Sequence, residues 1–377
     1  METQEHVYYH AWNLATLTNA GLLGKIKKYY GSWEKAWIKT SDAALTRLSP
    51  KSQLAARKRE ISPAGTWEHF KKSSPNIQVI LNEDASFPPL LREIHKAPQG
   101  IYVRGNYDAA LAKTHTFLSV VGTRRPSVYG IIQTQKIIQY GAGYPIVIVS
   151  GLAHGIDTIA HETALLEKLP TWAVIGHGHL GLGSHQRDLI RMIEENGCTI
   201  SEYPPECPAE SFRFPERNRI IAGLSPLTLV TEAPIRSGAN ITAISARDEN
   251  REVFALCADI DRIDCAGNLS LIEQHIATPL TSYHALVEAL GLDGAQARQM
   301  QLDTHERSPQ RFQDAAMNAI VDCMSYKSFT SVSEMMQAAS ISDITIILQK
   351  ISLLELKGCI EKIGGNFRLK MSPMAKR

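Results

Sequence analysis

The chain lacks most of the signals that would place it in a membrane, in an oxidising compartment or among polycations. No stretch approaches the ~18 uninterrupted apolar residues of a spanning helix. The opening METQEHVYYHAWNLATLT has neither the basic start nor the long apolar run of an export signal. Six cysteines (Cys198, Cys207, Cys257, Cys265, Cys323 and Cys359) form no CxxC pair and no short even framework, as expected of a cytoplasmic protein kept reduced. Aromatics are sparse, at 7%, and charged residues, at 21%, nearly cancel to a net charge of +2. Attraction to a polyanion therefore has to come from a local basic patch. No catalytic triad, paired carboxylates or metal-ligand cluster stands out, so no cofactor and no enzymatic step are expected.

What is present is a chain of 377 residues with 44% apolar content, enough for a sizeable core shared among two or three domains. Residues 1–75 read as helical, with WNLATL, GLLGKIKKYYGSWEKAW and SDAALTRL. Leu22, Leu23 and Ile26 share one side there, with Lys25, Lys27 and Lys28 beside them. This predicts either a module like a helix–hairpin–helix or a sterile alpha motif, or a helical cap whose lysines face water. Over residues 76–290 the period changes. IQVIL and IYVRG, then FLSVV, IVIV, TWAVI, TIS, TLVTE and EVFAL, read as strands, with helical runs between most of them. Such alternation predicts an α/β fold, a mostly parallel sheet with helices on both faces and ligands beyond the strands' C-terminal ends. Residues 291–311 form a polar linker. In 312–377, three amphipathic runs and a hairpin about Gly364-Gly365 follow the order of a winged helix. Its longest helix offers only Lys350 and Lys357, thin for groove binding, so a protein-contact or oligomer-supporting role is an equal reading of this separable tail.

Five stretches bear on the chemistry. In VGTRRPSVYG, Gly122 lets a backbone approach while Arg124 and Arg125 offer forked donors to phosphate, unless they merely face water. In SGLAHGIDTIAHETAL, Ser150 and Gly151 leave a strand and Asp157 can cap the next helix; His154 and His161 read as packed or capped histidines, not metal ligands. GHGHLG, from Gly176 to Gly181, is a literal GxGxxG with Glu202 where a ribose-binding acid would sit. Its strand is not the first of the sheet and its helix starts late, after Ser184-His185, so it predicts a pocket wall and no nicotinamide site. SFRFPERNRIIAGLS clusters Arg213, Arg217, Asn218 and Arg219 between rings and an apolar helix, which suits the phosphates and bases of a single strand or else a charged, capping loop. Finally, Ser237-Gly238 opens another helix at the same sheet edge.

Taken in order, VGTRRPSVYG, VSGLAHGIDTIAHETAL, FPERNRIIAGLS and SGANITA resemble the DNA-processing protein A family (DprA/Smf) over roughly Asp84 to Leu286. The resemblance implies an extended Rossmann-like domain that binds single-stranded DNA without sequence preference. It also implies help in loading the RecA recombinase during natural transformation, and pairing as a homodimer through that domain. The DNA-binding residues it implies are Gly122, Arg124, Ser150, Gly151, Arg217, Asn218, Arg219, Ser237 and Gly238. The sequence departs from the family pattern at GHGHLGLGSHQRD, where Gly183-Ser184 replaces an expected Tyr-Pro, and at Cys257-Ala258 and Cys265. Two alternatives remain: a Rossmann-like nucleotide-binding enzyme or sensor using the same loop edge, and a structural recombination adaptor. The phosphoribohydrolase signature PGGxGTxxE, which would favour the first, is absent.

Overall fold

A computed structural model describes residues 2–50, 53–183, 186–292, 314–324, 330–356, 359–363 and 366–369. Helices α1 to α6 open the chain: Gln4–Thr16, Ala20–Tyr30, Trp33–Lys39, Asp42–Leu48, Leu54–Glu60 and Pro63–Ser73. Then come β1 (Ile77–Leu81), α7 (Pro89–Glu93), β2 (Gly100–Gly105), α8 (Leu111–Thr114), β3 (Thr116–Val121) and α9 (Val128–Gly141). The chain continues through β4 (Ile146–Ser150), α10 (Ile156–Leu166), β5 (Thr171–Ile175), α11 (Arg187–Asn196), β6 (Gly197–Ser201) and α12 (Arg213–Leu224). It goes on through β7 (Leu227–Val230), α13 (Gly238–Asp248), β8 (Glu252–Leu256), α14 (Ala266–Glu273), β9 (Thr278–Leu280) and α15 (Tyr283–Ala289).

These strands make one 9-stranded sheet, ordered β1-β2-β6-β5-β4-β3-β7-β8-β9. From β6 to β9 across the sheet all neighbours are parallel, whereas β2 is antiparallel to both β6 and β1. Within it, β5-β4-β3-β7-β8-β9 has the 3-2-1-4-5-6 order of the Rossmann fold. The sequence explains why. β4, IVIVS, is buried along its whole length and β-branched nearly throughout, so it sits in mid-sheet with both faces covered. Its alternate residues divide between two cores. Val147 and Val149 pack with Ile220, Ile221 and Leu224 of α12 and Ala239 and Ala243 of α13. Ile146 and Ile148 pack with Ile137 and Ile138 of α9 and Ala160 and Ala164 of α10. The fold class is thus as expected, with helices on both faces. Strand β9 went unread, because TPL is short and contains a proline.

The N-terminal helices do not close on themselves. Tyr9, Trp12, Trp33 and Phe70 share a core with Ile77, Val79 and Leu81 of β1 and Tyr102 of β2. The Tyr9 hydroxyl donates to Gly100 O (2.9 Å), and a Cβ at Gly100 would lie 2.7 Å from the Tyr9 ring. The division at residue 75 therefore separates kinds of element and not cores. The tail has a core of its own, Met317, Ile320, Met335, Ile347, Ile351, Leu354 and Phe367. Its elements are α16 (Ala315–Cys323), α17 (Val332–Ala339), α18 (Ile344–Leu356) and the antiparallel pair β10 (Ile360–Ile363) and β11 (Asn366–Leu369). Residues 293–311 of the expected linker, Lys357 and the Gly364-Gly365 turn lie outside the described residues.

Burial depresses the pKa of three histidines in this fold. His161 is fully buried with Nδ1 2.7 Å from Thr171 Oγ1, and burial holds its pKa down to about 3. Burial holds His179 near 3 as well and His10 near 4. Each folded pKa lies below the unfolded value of roughly 6.5, so the unfolded chain binds the extra protons. The stability these neutral rings allow is complete above about pH 6.5 and is lost as pH falls toward about 4 for His10 and about 3 for His161 and His179, at about 1.4 kcal/mol per pH unit for each ring. In urea unfolding between pH 7 and 5, His161→Gln should show a pH dependence shallower by that amount; an unchanged slope would mean His161 does not stay neutral in the native state.

Candidate nucleic-acid interface

The chain winds outward from β3 to β6 and then returns past β3 to β7, so the winding reverses between β3 and β7. The crevice beyond those two C-terminal ends is where an open α/β sheet usually seats a nucleotide. Here it is filled by the protein. Glu232, fully buried after β7, accepts hydrogen bonds from Ser127 N (2.8 Å) and Ser127 Oγ (2.5 Å) at the start of α9. Arg262 reaches in with Nη2 2.9 Å from Ser127 Oγ and 3.8 Å from Glu232 Oε2. A carboxylate thus holds the helix N-terminus that would otherwise attract a pyrophosphate.

The GxGxxG segment is also closed. Gly178 N donates to Cys207 O (2.8 Å) and Leu180 N to Pro205 O (2.9 Å), while His179–Gly181 forms a single 3₁₀ turn. Helix α11 begins only at Arg187, late as expected, and Ser184 and His185 lie outside the described residues. Glu202, in place of a ribose-binding acid, is buried and ion-paired to Arg219.

The two glycine turns beyond β3 and β4 are built back to back. Thr123 N donates to Glu232 O (2.7 Å), and Ile156 N donates to Thr123 O (3.1 Å). A Cβ at Gly122 would sit 2.5 Å from Ile156 Cγ1 and 2.9 Å from Glu232 O, so only glycine fits. Gly155 has φ +80° and packs its Cα against the Thr123 and Arg124 backbone, a conformation and a space that both require glycine. Arg124 leaves this paired turn exposed to solvent, its guanidinium 6.0 Å from the centre of the Phe214 ring. Arg125 is exposed beside it. On the far side, His177 meets Phe214 edge-on at 6.4 Å.

The other predicted residues divide differently from expectation. Arg217 does not face outward: it is 4% exposed, and its Nη1 donates to Gly151 O (2.7 Å) and to Val174 O. Burial lowers its pKa to about 10, still ionised at neutral pH. Asp157, buried beside it, does not cap α10 from outside but sits in the first turn and accepts from Gly151 N (3.1 Å) and Ala153 N (3.4 Å). Burial raises its pKa to about 6, against the pull of Arg217 and those N–H groups. Gly151 is wedged between them, its hypothetical Cβ 2.7 Å from Asp157 Oδ2 and 2.8 Å from Arg217 Nη2. Ser150 turns its hydroxyl inward to Val120 O (2.6 Å).

Arg219 is committed to Glu202, whose backbone carbonyl in turn accepts from Asn13 Nδ2 (3.0 Å) in α1. Asn218 joins α12 to α13 through Gly238 O (3.3 Å), and Ser237 caps α13 by accepting from Ala239 N (3.3 Å). Of the nine predicted residues only Arg124 and Gly238 are exposed; Ser150, Gly151, Arg217 and Asn218 are buried, with Gly122, Arg219 and Ser237 between. His177 was not among the predicted residues, and Phe214 entered the sequence reading only as a ring beside the arginines, not as one of the nine DNA-binding residues. The ring preceding the RNR triplet by three positions was the available signal, whereas His177 was hidden inside the GxGxxG run.

The geometry makes Arg217 an internal tie. Arg217→Ala leaves two buried carbonyls without this donor and Asp157 without its countercharge, at a cost of about 3 kcal/mol. Chemical denaturation should show a correspondingly lower midpoint, and a wild-type midpoint would disprove the tie.

Residues 78–291 match the family of the DNA recombination-mediator protein A. Protein Smf of Synechocystis is 34% identical over 298 residues, which covers 77% of this chain and 74% of the relative. DNA processing protein DprA of Streptococcus pneumoniae is 36% identical over 245 residues, covering 65% of this chain and 84% of that one. The X-ray structure of the S. pneumoniae protein superposes with a TM-score of 0.66 at 32% identity, covering 76% of this chain and 98% of that one. A DNA processing protein A from Helicobacter pylori, described for its single-stranded DNA binding mode, matches with a TM-score of 0.50 at 26% identity, over 57% of this chain and 95% of that one. With more than half of its length matched in the order of strands and turns described above, this chain belongs to the DNA recombination-mediator protein A family.

Proposed function

We propose that the C-terminal rim of the sheet binds single-stranded DNA without sequence preference. The observation that carries this is Arg124, an exposed guanidinium over the Phe214 ring on a turn locked by three glycines. The cation takes a phosphate and the ring offers a face to a base of any identity, which is the sequence-tolerant mode. Gly122, Gly151 and Gly155 let these turns pack against one another and against Arg217, while Gly238 is open enough that nothing lies within 4 Å of an added Cβ. In this reading Ser150, Arg217 and Asn218 act from beneath by holding the rim, and Arg219 anchors Glu202. The description of the H. pylori relative supports the ligand class.

The same reading makes the protein a cytoplasmic mediator that presents single strands to the RecA recombinase during DNA uptake and recombination, with no chemical step of its own. No described helix is long and apolar enough to cross a membrane. The tail, with its own core, serves as a winged-helix-like contact module. We also propose a homodimer through the sheet domain, on the strength of its exposed isoleucines. Ile260 is 95% and Ile263 80% exposed, with Ile235, Ile241 and Ile244 on neighbouring elements. Those elements meet where Gly267 packs against Pro234 and Asn240. Ile260→Glu with Ile263→Glu should convert a dimer to a monomer in sedimentation velocity, and an unchanged mass would sink this interface.

Fluorescence anisotropy with single- and double-stranded oligonucleotides at two salt concentrations tests the rim. Each phosphate neutralised on a single strand contributes roughly 0.7 to the slope of log K against log salt. Arg124→Ala should flatten that slope by about 0.7 and weaken binding by about 1.5–3 kcal/mol for every sequence alike. Arg124→Lys restores charge without the fork and so recovers only part. A folded Arg124→Ala protein that binds like the wild type at both salts would move the site elsewhere.

A further inference from the structure

We infer that the exposed face of the α2–α3 hairpin is a second nucleic-acid contact, a basic extension of the rim that takes the phosphates of a strand running on past β6; this rests on the rim reading above. Residues 2–76 hold twelve Lys and Arg against six Asp and Glu, although the whole chain nets only +2. Lys25, Lys28 and Tyr29 lie at i, i+3 and i+4 on α2, all exposed, with Tyr29 at 81%. Lys35, Ile38 and Lys39 repeat that spacing on α3, also exposed, with Ile38 at 67%. Lys27 meets Glu5 at 3.1 Å and Glu83 at 2.5 Å, but among the described residues Lys25, Lys28, Lys35 and Lys39 pair with no carboxylate. Unpaired lysines beside an exposed ring have the composition of a sequence-tolerant phosphate and base contact.

The register of the sheet sets this face at the right end. Strand β2 is antiparallel to β6, pairing Tyr102 with Ser201, so the start of β2 lies beside the C-terminal end of β6. The α2 helix touches that start, where a Cβ on Gly24 would be 3.7 Å from Gln99 Nε2. The α2 lysines and Arg124 therefore belong to one edge, separated by the steps β3-β4-β5-β6-β2, about 20 Å at ~4.8 Å per strand. The hairpin's own helix N-terminus is not the contact. Glu5 fills it, accepting from Trp33 N (2.8 Å) and Ser32 Oγ (2.6 Å), so the sides of the helices are what face a ligand.

The test compares the full chain with Lys25→Gln/Lys28→Gln on oligo-dT of about 6 and about 20 nucleotides, lengths within and beyond one small single-strand site. The variant should bind the short strand like the wild type, bind the long strand several-fold more weakly, and show a salt slope for the long strand flatter by about 1.4. A long strand bearing 5-iododeoxyuridine should photocrosslink to Tyr29 in the unmodified protein, a readout that does not depend on the variant's folding. Wild-type affinity and slope in the variant, or no crosslink at Tyr29, overturn the inference while leaving the rim reading intact. Phosphatidylglycerol vesicles captured through these lysines, with no gain from the longer strand, would overturn it in favour of a membrane surface. Failure of the wild type to bind either oligonucleotide, by contrast, sinks the rim itself.

Discussion

A buried guanidinium, that of Arg217, fastens α12 to the ends of β4 and β5 through the carbonyls of Gly151 and Val174, with Asp157 alongside. Burying such a cation is costly, and a well-packed apolar substitute often stabilises as well. What the cation adds is placement. Gly151 is held between Arg217 and Asp157, which fixes the turn that ends in Gly155. Gly155 in turn packs against the backbone of Thr123 and Arg124. An inward arginine thereby sets the position of the outward one.

The second constraint concerns carboxylates at places that attract anions. Glu232 holds the start of α9, Glu5 the start of α3, and Asp157 the amides of the turn after β4. Each satisfies backbone N–H groups that a phosphate would otherwise find. A compact nucleotide bound through its pyrophosphate needs such a seat, and the seat at the strand reversal is taken. What remains available on this edge is side-chain charge and ring faces on its surface, and these suit an extended polymer better than a small cofactor.

The sheet was legible because its signal is local. FLSVV, IVIV and TWAVI are apolar runs that become fully enclosed strands, and the glycine turns follow them directly. The direction of the arginines was not legible in the same way. Arg217 and Arg219 differ by two positions on α12, so they leave it on opposite sides, one toward Gly151 and one toward Glu202. Neither partner adjoins the triplet in sequence, and a cluster of cations read without its partners looks like a free patch. The fusion of the helical start with β1 and β2 was hidden for the same reason, since Tyr9 meets Gly100 and His10 meets Tyr102 (2.8 Å) across some ninety residues.

The direction of β2 has a consequence for where the helical start can act. Had β2 continued the parallel run beyond β6, its first residue would lie at the opposite edge from the glycine turns. Because it runs antiparallel, Gly100 lies beside the end of β6, and Tyr9 is pinned to it. The same register brings Leu81, the last residue of β1, opposite Gly100, and with it the Glu83 carboxylate that holds Lys27. The α2 helix is thus tied to the sheet's C-terminal edge from two strands at once. Its neutralised lysine, Lys27, is the one that docks the helix, while Lys25 and Lys28 are exposed and pair with no carboxylate among the described residues, so the ion pairs that dock the helix also decide which of its charges remain available to a polyanion.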